Sequence, residues 1–398
     1  MNVSRNRWEQ MSQQRLGVWL IGARGSVGTT AITGRQAVVD GLAGPTGLVT
    51  ETLPFAGVPL TGLQDMVFGG HDLSTVPLPE RAHDLAAGGV LPAALPGQLA
   101  DELREVDARI QPGVRAGEGP GTLARLRADL DGFRDAHGLR NVVVVNVAST
   151  EPLPSAAGVG RSVDVVRAAT DAGDDIPASL LYGVAALLSG CAYVDFTPSP
   201  TTRTPGFDEL ARSRGLPYGG RDGKTGETLL KAALAPMFAD RALAVRSWAA
   251  TNLLGGGDGR TLADPEAAAS KLASKSGVLS AVLGEEVEAP VRIDYLADLG
   301  EWKTAWDVIG FDGFLGTRMR LQFTWDGCDS ALAAPLVLDL ARLAGLALDR
   351  AERGSVGQLG YFFKDPVGTA EHRLAQQFES LVSWAVASSA DRQRLSLP

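Results

Sequence analysis

The stretch that decides the fold is LGVWLIGARGSVGTT, residues 16–30. It begins with an apolar run of strand length, Leu16 to Ile21, and a helical pattern continues from Thr29 to about Asp40. Glycines between the two let the backbone turn sharply and leave the N–H groups of the helix N-terminus open to an anion. The order of strand, glycine turn and helix predicts the opening of a nucleotide-binding βαβ unit. The turn glycines are Gly22, Gly25 and Gly28.

The spacing of these glycines is GxxGxxG and departs from the usual GxGxxG, so the motif alone is weak and a tight turn without a ligand is the alternative. No acidic residue stands at the usual distance after the turn. The second candidate strand, Gly47 to Phe55, offers Glu51 as a possible partner for a ribose hydroxyl.

The length, composition and net charge of the chain limit the number of domains and the class of protein. The chain has 398 residues, which predicts two or three domains at roughly 100–200 residues each. Apolar residues make up 45% of it, as in globular proteins. With 37 Lys and Arg against 46 Asp and Glu, the net charge is −9, which argues against a generic nucleic-acid binder.

The sequence also predicts where the protein works. Two cysteines, Cys191 and Cys328, are too few for a disulfide framework and indicate a reducing compartment. Residues 1–15 lack the apolar core of a signal peptide. The longest apolar run, Ala178 to Val194, is interrupted by Gly and Ser and is too short to cross a membrane. We therefore expect a cytoplasmic protein without a membrane span.

Strands alternate with helices in the first half of the chain. The valine run from Asn141 to Val147 predicts a strand buried on both faces of a parallel sheet. A helix from Ala178 to Ser189 leads into another strand, Ala192 to Phe196. This alternation predicts a doubly wound sheet.

The pattern changes after residue 225. A helix from Thr228 to Phe238 precedes a strand from Ala242 to Asn252. Two more strands, Pro290 to Leu296 and Thr317 to Trp325, are expected to face each other in an antiparallel sheet. An apolar helix from Ser330 to Ala344 and a helical tail from Glu371 to Val386 follow. The predicted fold is α/β: an NAD-binding Rossmann domain (1–226), an inserted α+β catalytic and oligomerisation domain (227–326), and C-terminal helices (327–398) that return to the first domain.

Two lysines in the second half attract attention because Lys271 and Lys275 are four residues apart. On a helix they share one face and point into one pocket, where crowding lowers a lysine pKa and makes it a base. Such a pair is more often a solvated helix face. In the same way, Asp258 in a glycine loop could cap a turn, and Asp222 could be an N-cap at the surface.

Several ordered segments resemble the myo-inositol-1-phosphate synthase family, of the eukaryotic-like branch. The glycine turn with Thr29-Thr30 resembles that family's NAD loop, and Gly69-Gly-His-Asp72 resembles its Gly-Gly-Trp-Asp segment, which contacts the adenosine of NAD. Ser149-Thr150-Glu151 resembles its Asn-Thr-Glu turn, and Ser189-Gly-Cys191 resembles its Gly-Cys before a strand.

The second half carries more specific matches. Residues 220–228 resemble the family's Asp-Leu-Lys-Ser-Gly-Gln-Thr, and residues 251–259 resemble its Asn-His-Leu-Gly-Asn-Asn-Asp-Gly. Residues 270–276 resemble Ser-Lys-Glu-Ile-Ser-Lys-Ser, and residues 300–305 resemble Gly-Asp-Ser-Lys-Arg-Ala. Residues 328–335 repeat Cys-Glu-Asp-Ser-Leu-Leu-Ala-Ala-Pro almost unchanged. Ordered motifs from residue 17 to 370 are hard to obtain by chance.

The resemblance implies an intramolecular aldol cyclase with a recycled NAD. In that family a hexose 6-phosphate is oxidised at carbon 5, the enolate formed at carbon 6 attacks carbon 1, and the hydride returns, so no net redox change remains. Lys271 would handle the proton at carbon 5, Lys275 would bind phosphate or the ring-closing oxygen, and Lys303 would stabilise the attacked carbonyl oxygen. Preorganised ammonium groups suit such developing negative charge.

The remaining expected residues follow from the same matches. The catalytic set is Lys271, Lys275, Lys303, Lys224 and Asp222. The cofactor-binding set is Gly22, Arg24, Gly25, Ser26, Val27, Gly28, Asp72, Ser149, Thr150, Asp222, Asp258 and Asp329. The substrate-binding set is Asn252, Gly257, Thr225 and Gln376. No metal site is expected, and the partners are a sugar phosphate and further copies of the chain in a homotetramer.

The chain departs from the family near its C-terminus. The family has an active-site lysine in an Asn-Lys-Gln-Arg segment, where the best register here places Gln376 and a shifted one offers His372 or Arg373. A neutral amide in place of an ammonium changes which oxyanion is stabilised. Fructose 6-phosphate, closing a five-membered ring in specialised metabolism, therefore stands beside glucose 6-phosphate as the expected substrate.

Two other classes remain open at the sequence level. An ordinary NAD-dependent dehydrogenase would release NADH and needs a clear acid–base residue, but the four histidines form no recognisable catalytic motif. A non-catalytic NAD-binding paralogue has no need to keep Lys271, Lys275, Lys303, Asp222 and Asp258 together.

Overall fold

The computed structural model describes residues 15–151, 162–256, 278–283 and 287–395. Its strands form two sheets. The first sheet contains β1 (Leu16–Ile21), β2 (Met66–Asp72), β3 (Ile110–Pro112), β4 (Asn141–Asn146), β5 (Ala192–Asp195), β6 (Pro217–Gly220) and β11 (Gly354–Ser355). The second contains β7 (Ala244–Leu254), β8 (Val291–Tyr295), β9 (Lys303–Asp312) and β10 (Arg318–Gly327).

Helices pack on both sheets. They are α1 (Ser26–Val39), α2 (Leu78–Ala87), α3 (Leu95–Gln98), α4 (Ala100–Asp107), α5 (Thr122–His137), α6 (Val163–Ala172), α7 (Ala178–Leu188), α8 (Pro205–Arg214), α9 (Gly226–Asp240), α10 (Asp329–Asp349) and α11 (Leu374–Leu395). Residues 278–283 are also helical.

The first sheet is parallel throughout, in the order β11-β6-β5-β4-β1-β2-β3. Its central strands, β1 and β4, are apolar and almost completely buried, because helices cover both faces. α1 and α10 pack on one face and α5, α7 and α8 on the other. The predicted α/β fold with a Rossmann-like parallel sheet is confirmed.

The strand order reverses between β1 and β4. From β1 the chain moves outward through β2 and β3, and it then returns to place β4, β5 and β6 on the other side of β1. At such a switch point the loops after the two central strands diverge and leave a crevice at the carboxyl ends, where open α/β sheets bind ligands.

The second sheet has the order β10-β9-β7-β8 and is mixed, because β8 runs parallel to β7 while β9 is antiparallel to both β7 and β10. Its inner face packs on α9 through a small core that includes Phe238, Trp248 and Ile309. The chain leaves the first sheet after β6 and returns to it with α10 and β11. The predicted domain boundaries, 1–226, 227–326 and 327–398, stay a prediction.

The predicted strand at Gly47 to Phe55 is wrong. The segment forms two short 3-10 turns, Val49–Glu51 and Leu53–Phe55, and the second strand of the sheet is β2. The N–H groups of Val49 and Thr50 donate to the Asp339 carboxylate on α10, at 2.7 and 3.2 Å, instead of to a neighbouring strand. A buried carboxylate from far along the chain therefore overrides the local pattern.

The prediction that residues 290–296 and 317–325 face each other is also wrong. β8 and β10 are the two edges of the second sheet, with β9 and β7 between them. The sequence analysis interprets the first residues of β9 only as a motif and does not predict this strand. Ala305, Asp307 and Ile309 are buried, and the residues between them, Trp306 and Val308, are more accessible.

One helix is long and apolar enough to cross a membrane by length and composition, namely α10. Most of it is buried in the protein, where it packs beside α1 on the first sheet. Its burial is that of a helix in the core of the first domain.

Candidate active site

A cavity of about 630 Å³ opens at the carboxyl ends of β1 and β4 and reaches the second sheet. The glycine turn, the end of β2 and the loop after β4 line one end. The turn at Asp222–Thr225, the start of β9 and the N-terminus of α10 line the other. The arrangement places a nucleotide-type turn and a cluster of charged side chains in one crevice.

The first turn of α1 lies very close to the backbone of the glycine turn that follows β1. A Cβ added to Gly28 would lie 2.6 Å from the carbonyl oxygen of Ala23, and Gly22 has a φ of +86° that favours glycine. The N-cap residue of α1, Gly25, makes no side-chain cap, so the first N–H groups of the helix lack a side-chain acceptor there. This end of α1 can accept an anion.

Asp72 ends β2 at the cavity wall. Its carboxylate accepts hydrogen bonds from the backbone N–H groups of Arg24, at 2.6 Å, and Ser74, at 2.7 Å. An acidic residue at the end of the second strand is the usual partner of an adenosine ribose. Glu51, the sequence-based candidate for that role, lies away from the described cavity wall and pairs with Arg342 at 2.6 Å.

The side chain of Arg24 is directed to the surface of α4. Its Nε donates to Asp107 at 2.8 Å and its Nη1 donates to the carbonyl oxygen of Ser74 at 2.9 Å. The guanidinium of Arg24 thus stabilises the turn from outside the described cavity wall, and its predicted cofactor contact stays a prediction.

His71 forms part of the wall behind Asp72. The Nε1–H of Trp19 donates to His71 Nδ1 at 2.9 Å, so that nitrogen carries no proton, and Nε2 faces Asp129 at 3.0 Å. Burial lowers the pKa of His71 below its usual value. The imidazole is thus a neutral, fixed part of the wall.

The loop after β4 carries Ser149, Thr150 and Glu151 along the cavity. Glu151 accepts hydrogen bonds from the N–H groups of Ala178, at 2.9 Å, and Ser179, at 2.7 Å. A carboxylate at a helix N-terminus is stabilising. Glu151 therefore fixes the loop to α7, and the two neighbouring hydroxyl residues are held beside the glycine turn.

At the other end, Asp222 and Lys364 form a buried pair. Lys364 Nζ donates to Asp222 Oδ1 at 2.9 Å, and the backbone groups of the two residues also bond, at 2.7 Å. Asp222 has a φ of +61°, and its own N–H donates to the carbonyl oxygen of Thr197. The pair connects the turn after β6 with the segment before α11 and presents a charged surface to the cavity.

Lys224 lies beneath this surface and is 4% exposed. Its Nζ donates to the side-chain oxygen of Gln377 on α11. Burial lowers the pKa of Lys224 from 10.5 to about 7, so a large share of the lysine is neutral near neutral pH. Gln376, the predicted substrate-binding residue, is exposed on α11, and the buried amide is one residue later.

Lys303 meets Asp329 where the second sheet approaches α10. The Nζ lies 3.4 Å from Asp329 Oδ2. A Cβ added to Gly226, the first residue of α9, would lie 3.3 Å from Asp329 Oδ1 and 3.7 Å from Lys303 Nζ. The N-terminus of α9 and an ammonium group therefore converge on one patch of the wall, which suits an oxygen that carries or gains negative charge.

Many of the predicted site residues line the cavity, and others do not. Those lining it are Gly22, Gly25, Ser26, Val27, Asp72, Ser149, Thr150, Asp222, Thr225, Lys303 and Asp329. Arg24, Gly28, Lys224 and Gln376 lie behind the described wall or away from it. Asn252 is fully buried, and within the described ranges its amide has no hydrogen-bonding partner. Gly257, Asp258, Lys271 and Lys275 lie outside the described residues.

Three functional candidates were missed from the sequence: Arg81, Lys364 and Gln377. Each meets its partner across a long stretch of chain, with separations of 220, 142 and 153 residues to Glu301, Asp222 and Lys224. A local sequence motif cannot predict contacts between residues so far apart in the chain. The described residues also contain no group of three or more His, Cys, Asp or Glu placed to hold a metal ion.

Comparisons with known proteins agree with this geometry. The model of a family described as myo-inositol-1-phosphate synthase matches residues 16–385. Inositol-3-phosphate synthase 1 of Bacteroides thetaiotaomicron is 32% identical over 399 residues, covering 90% of this chain and 91% of its own. The crystal structure of inositol-3-phosphate synthase from Caenorhabditis elegans superposes with a TM-score of 0.84 at 24% identity, covering 94% and 86% of the two chains. A myo-inositol-1-phosphate synthase-related protein from Thermotoga maritima gives a TM-score of 0.76 at 25% identity, covering 93% and 98%.

Proposed function

Because the chain belongs to the myo-inositol-1-phosphate synthase family, we propose that it is an NAD-dependent cyclase that converts a hexose 6-phosphate into a cyclitol phosphate. The observation that carries the proposal is the single cavity that joins the glycine turn to Lys303, Asp329 and the Asp222–Lys364 pair. An enzyme that oxidises a sugar and then closes its ring needs both ends of this cavity at once.

The residues of the first end fit NAD. The close approach at Gly28 leaves no room for a Cβ, and the N-terminus of α1 is open to a diphosphate. The Asp72 carboxylate stands where a ribose hydroxyl would donate and where the phosphate of NADP would be repelled. When bound, NAD supplies the hydride acceptor for carbon 5 of the sugar and returns the hydride after ring closure. Ser149 and Thr150 would hold the cofactor from the loop after β4.

The end of the cavity that carries Lys303 and Asp329 would stabilise the substrate oxygens that gain negative charge during enolisation and ring closure. We assign Lys303 to the carbonyl oxygen under attack, since its ammonium lies beside the N-terminus of α9 and is oriented by Asp329. A positive charge that is already in place beside this oxygen lowers the activation free energy, because the surrounding groups need not reorganise during the reaction. Thr225, the N-cap of α9, would orient the substrate at the same patch.

Asp222 and Lys364 would orient the hydroxyl groups of the sugar near the carbon that is oxidised, because the pair lies on the cavity wall between the β5 and β6 loops. Lys224 lies behind this pair and has a lowered pKa. It would accept a proton when neutral and would supply positive charge when protonated.

Four further residues enter by resemblance alone. Lys271 would move the proton at carbon 5, Lys275 would bind the phosphate or the ring-closing oxygen, and Asp258 and Gly257 would complete the site. Asn252, at the end of β7, would bind the substrate, because its buried amide offers a donor and an acceptor that have no partner among the described residues.

The sugar itself is proposed at the level of a hexose 6-phosphate. Glucose 6-phosphate would give a six-membered inositol phosphate, and fructose 6-phosphate would give a five-membered carbocycle. Both sugars should be tested because Lys224 contacts the neutral amide of Gln377. A lysine in place of Gln377 would add a positive charge beside the site, and that charge would change which oxygen of the substrate is stabilised.

We also propose that the enzyme is a cytoplasmic homotetramer. Both cysteines, Cys191 and Cys328, are buried free thiols, as suits a reducing compartment. The outer face of the second sheet carries Trp306 with 48% of its surface exposed, and a neighbouring copy would cover it.

The test is an incubation of the enzyme with NAD and either sugar phosphate, followed by phosphorus NMR and mass spectrometry. We expect an isomer of unchanged mass without accumulation of NADH, and the productive sugar gives the ring size. K303M should abolish the product while NAD binding is retained. R246M, which removes an exposed cation paired with Asp312 on the second sheet away from the cavity wall, controls for loss of a cation as such.

Stoichiometric NADH would contradict the proposal and identify an ordinary dehydrogenase. No product from either sugar, with NAD retained in the purified protein, would contradict the proposed substrates and favour another sugar phosphate or a binding role.

A further inference from the structure

Arg81 on α2 connects the two sheets across the cavity. Its Nη2 donates to Ser26 Oγ and to Glu301 Oε1, both at 2.8 Å. Ser26 is the first residue of α1, and Glu301 lies just before β9. The side chains of Arg81 and Glu301 are only 25% and 21% exposed. A single guanidinium therefore bridges the nucleotide-binding turn and the second sheet.

A second contact supports the same junction. The strap, defined as residues 300–303, lies against the C-terminal end of α2, where Trp302 Nε1 donates to the carbonyl oxygen of Gly88 at 3.0 Å. On its other side, the N–H of Gly255 donates to the carbonyl oxygen of Trp302 at 3.1 Å. The strap is thus fixed at both sides while Glu301, Trp302 and Lys303 line the cavity.

Arg81 is the cation nearest to the N-terminus of α1 among those on the described cavity wall. The other two, Lys303 and Lys364, pair with Asp329 and Asp222 at the opposite end. Arg24, which belongs to the turn, directs its guanidinium to Asp107. A diphosphate seated on α1 would therefore meet Arg81 as its positive partner.

The guanidinium of Arg81 has donors left for such a contact. Its Nη2 is engaged by Ser26 and Glu301, whereas Nη1 lies 3.9 Å from the exposed carboxylate of Asp84, beyond hydrogen-bond distance. The planar fork of arginine suits two neighbouring phosphate oxygens. Arg81 can then hold a diphosphate and Glu301 at the same time.

We propose that the Arg81–Glu301 ion pair is a latch that retains the dinucleotide in the cavity, with Arg81 contacting its diphosphate and Glu301 holding the strap over it. The proposal rests on the proposed function, in which one NAD must stay bound from oxidation to the return of the hydride. An ordinary dehydrogenase has no such need, since it exchanges its cofactor in every turnover.

The test measures binding, which needs no turnover. NADH dissociation is followed by its fluorescence, and ADP-ribose and adenosine are titrated by calorimetry. NADH should leave R81Q and E301Q about tenfold or more faster than the wild type, in line with the loss of a hydrogen bond to a charged group. R81Q should weaken ADP-ribose by a similar factor and leave adenosine, which has no diphosphate, unchanged.

Two further variants make the result decisive. R109Q removes a partly buried arginine that pairs with Glu105 away from the cavity, and it should behave as the wild type. R81K keeps the charge and the fold but loses the fork, so its NADH release should lie between those of the wild type and R81Q.

Unchanged NADH release in R81Q or E301Q overturns the latch, as does equal weakening of ADP-ribose and adenosine. Failure of the proposed function is a different result, because the wild type would then bind and retain NADH normally yet form no isomer.

Discussion

At the scale of single residues, the site depends on side chains held in environments that change their chemistry. Lys224 is surrounded by protein and bonded to a neutral amide, and it therefore loses its proton far more easily than a lysine in water. Lys364 is also buried, but its Nζ donates to the carboxylate of Asp222. Two buried lysines in this part of the molecule thus have different partners, a neutral amide and a carboxylate.

The pH dependence of folding should reveal Lys224. Its pKa is about 7 in the folded protein and close to 10.5 in the unfolded chain, so between these values the unfolded chain holds a proton that the folded protein lacks. The contribution of Lys224 to the free energy of unfolding therefore rises with pH across this window, by at most about 1.4 kcal/mol per pH unit, and is constant below it. Urea unfolding at pH 7.5 and 9.5 should show a steeper rise for the wild type than for K224M. Equal slopes would contradict the shifted pKa.

Gln377 and Gln376 offer a matched pair one residue apart. Gln377 is 4% exposed, accepts from Lys224 and donates to the carbonyl oxygen of Glu371 at 2.6 Å, whereas Gln376 faces solvent. Q377L leaves the buried Nζ of Lys224 without its acceptor and should lower the free energy of unfolding by about 1–3 kcal/mol. Q376L should change it by no more than about 0.5 kcal/mol. Chemical unfolding of both variants measures these changes. Equal losses in the free energy of unfolding would show that the Lys224–Gln377 contact does not contribute to stability.

At the scale of elements, the turn between β1 and α1 tolerates no added atom at Gly28. G28A places a Cβ 2.6 Å from one backbone carbonyl oxygen and 2.8 Å from another, so the turn must open. We expect G28A to lose both stability and NAD affinity. G34A lies in the same helix with nothing within 4 Å of the added carbon, and it should stabilise the fold by about 0.5–1 kcal/mol. Thermal unfolding and NAD titration of the two variants provide the measurement; a G28A variant that binds NAD normally would contradict this account of the turn.

The elements also show what the sequence could predict and what it could not. β1, α1 and β4 were predictable because their patterns are local: an apolar run, spaced glycines, a run of valines. The 47–55 segment was not, because its N–H groups are satisfied by Asp339, 290 residues away from Val49. The site follows the same rule. Residues in motifs, such as Asp72 and Lys303, could be proposed from the sequence and line the cavity. Arg81, Lys364 and Gln377 could not, because each contacts a partner far away in the chain.

At the scale of the whole molecule, the second sheet has one face on α9 and one face toward solvent. Trp306 lies on the outer face in register with Thr251 and Thr324, opposite to buried Ala305 and Asp307. An exposed tryptophan between two threonines on the outer face of a sheet suits an interface between copies.

This face allows a direct test of assembly. W306E should convert the proposed tetramer to smaller species in sedimentation velocity, because a buried charge at an interface is costly. L53E places the same charge at a residue that is 89% exposed on the first domain and should leave the assembly unchanged. A W306E protein of wild-type mass would show that the outer face is not an interface.

The return of the chain to its first sheet has a consequence for synthesis on the ribosome. α1 and the 47–65 loop emerge early, yet α10, which packs on α1 and supplies Asp339 to Val49 and Thr50, emerges about three hundred residues later. Until then a large apolar face of the nascent first sheet stays uncovered. We therefore expect the N-terminal half to reach its final packing only after α10 has left the ribosome, late in translation.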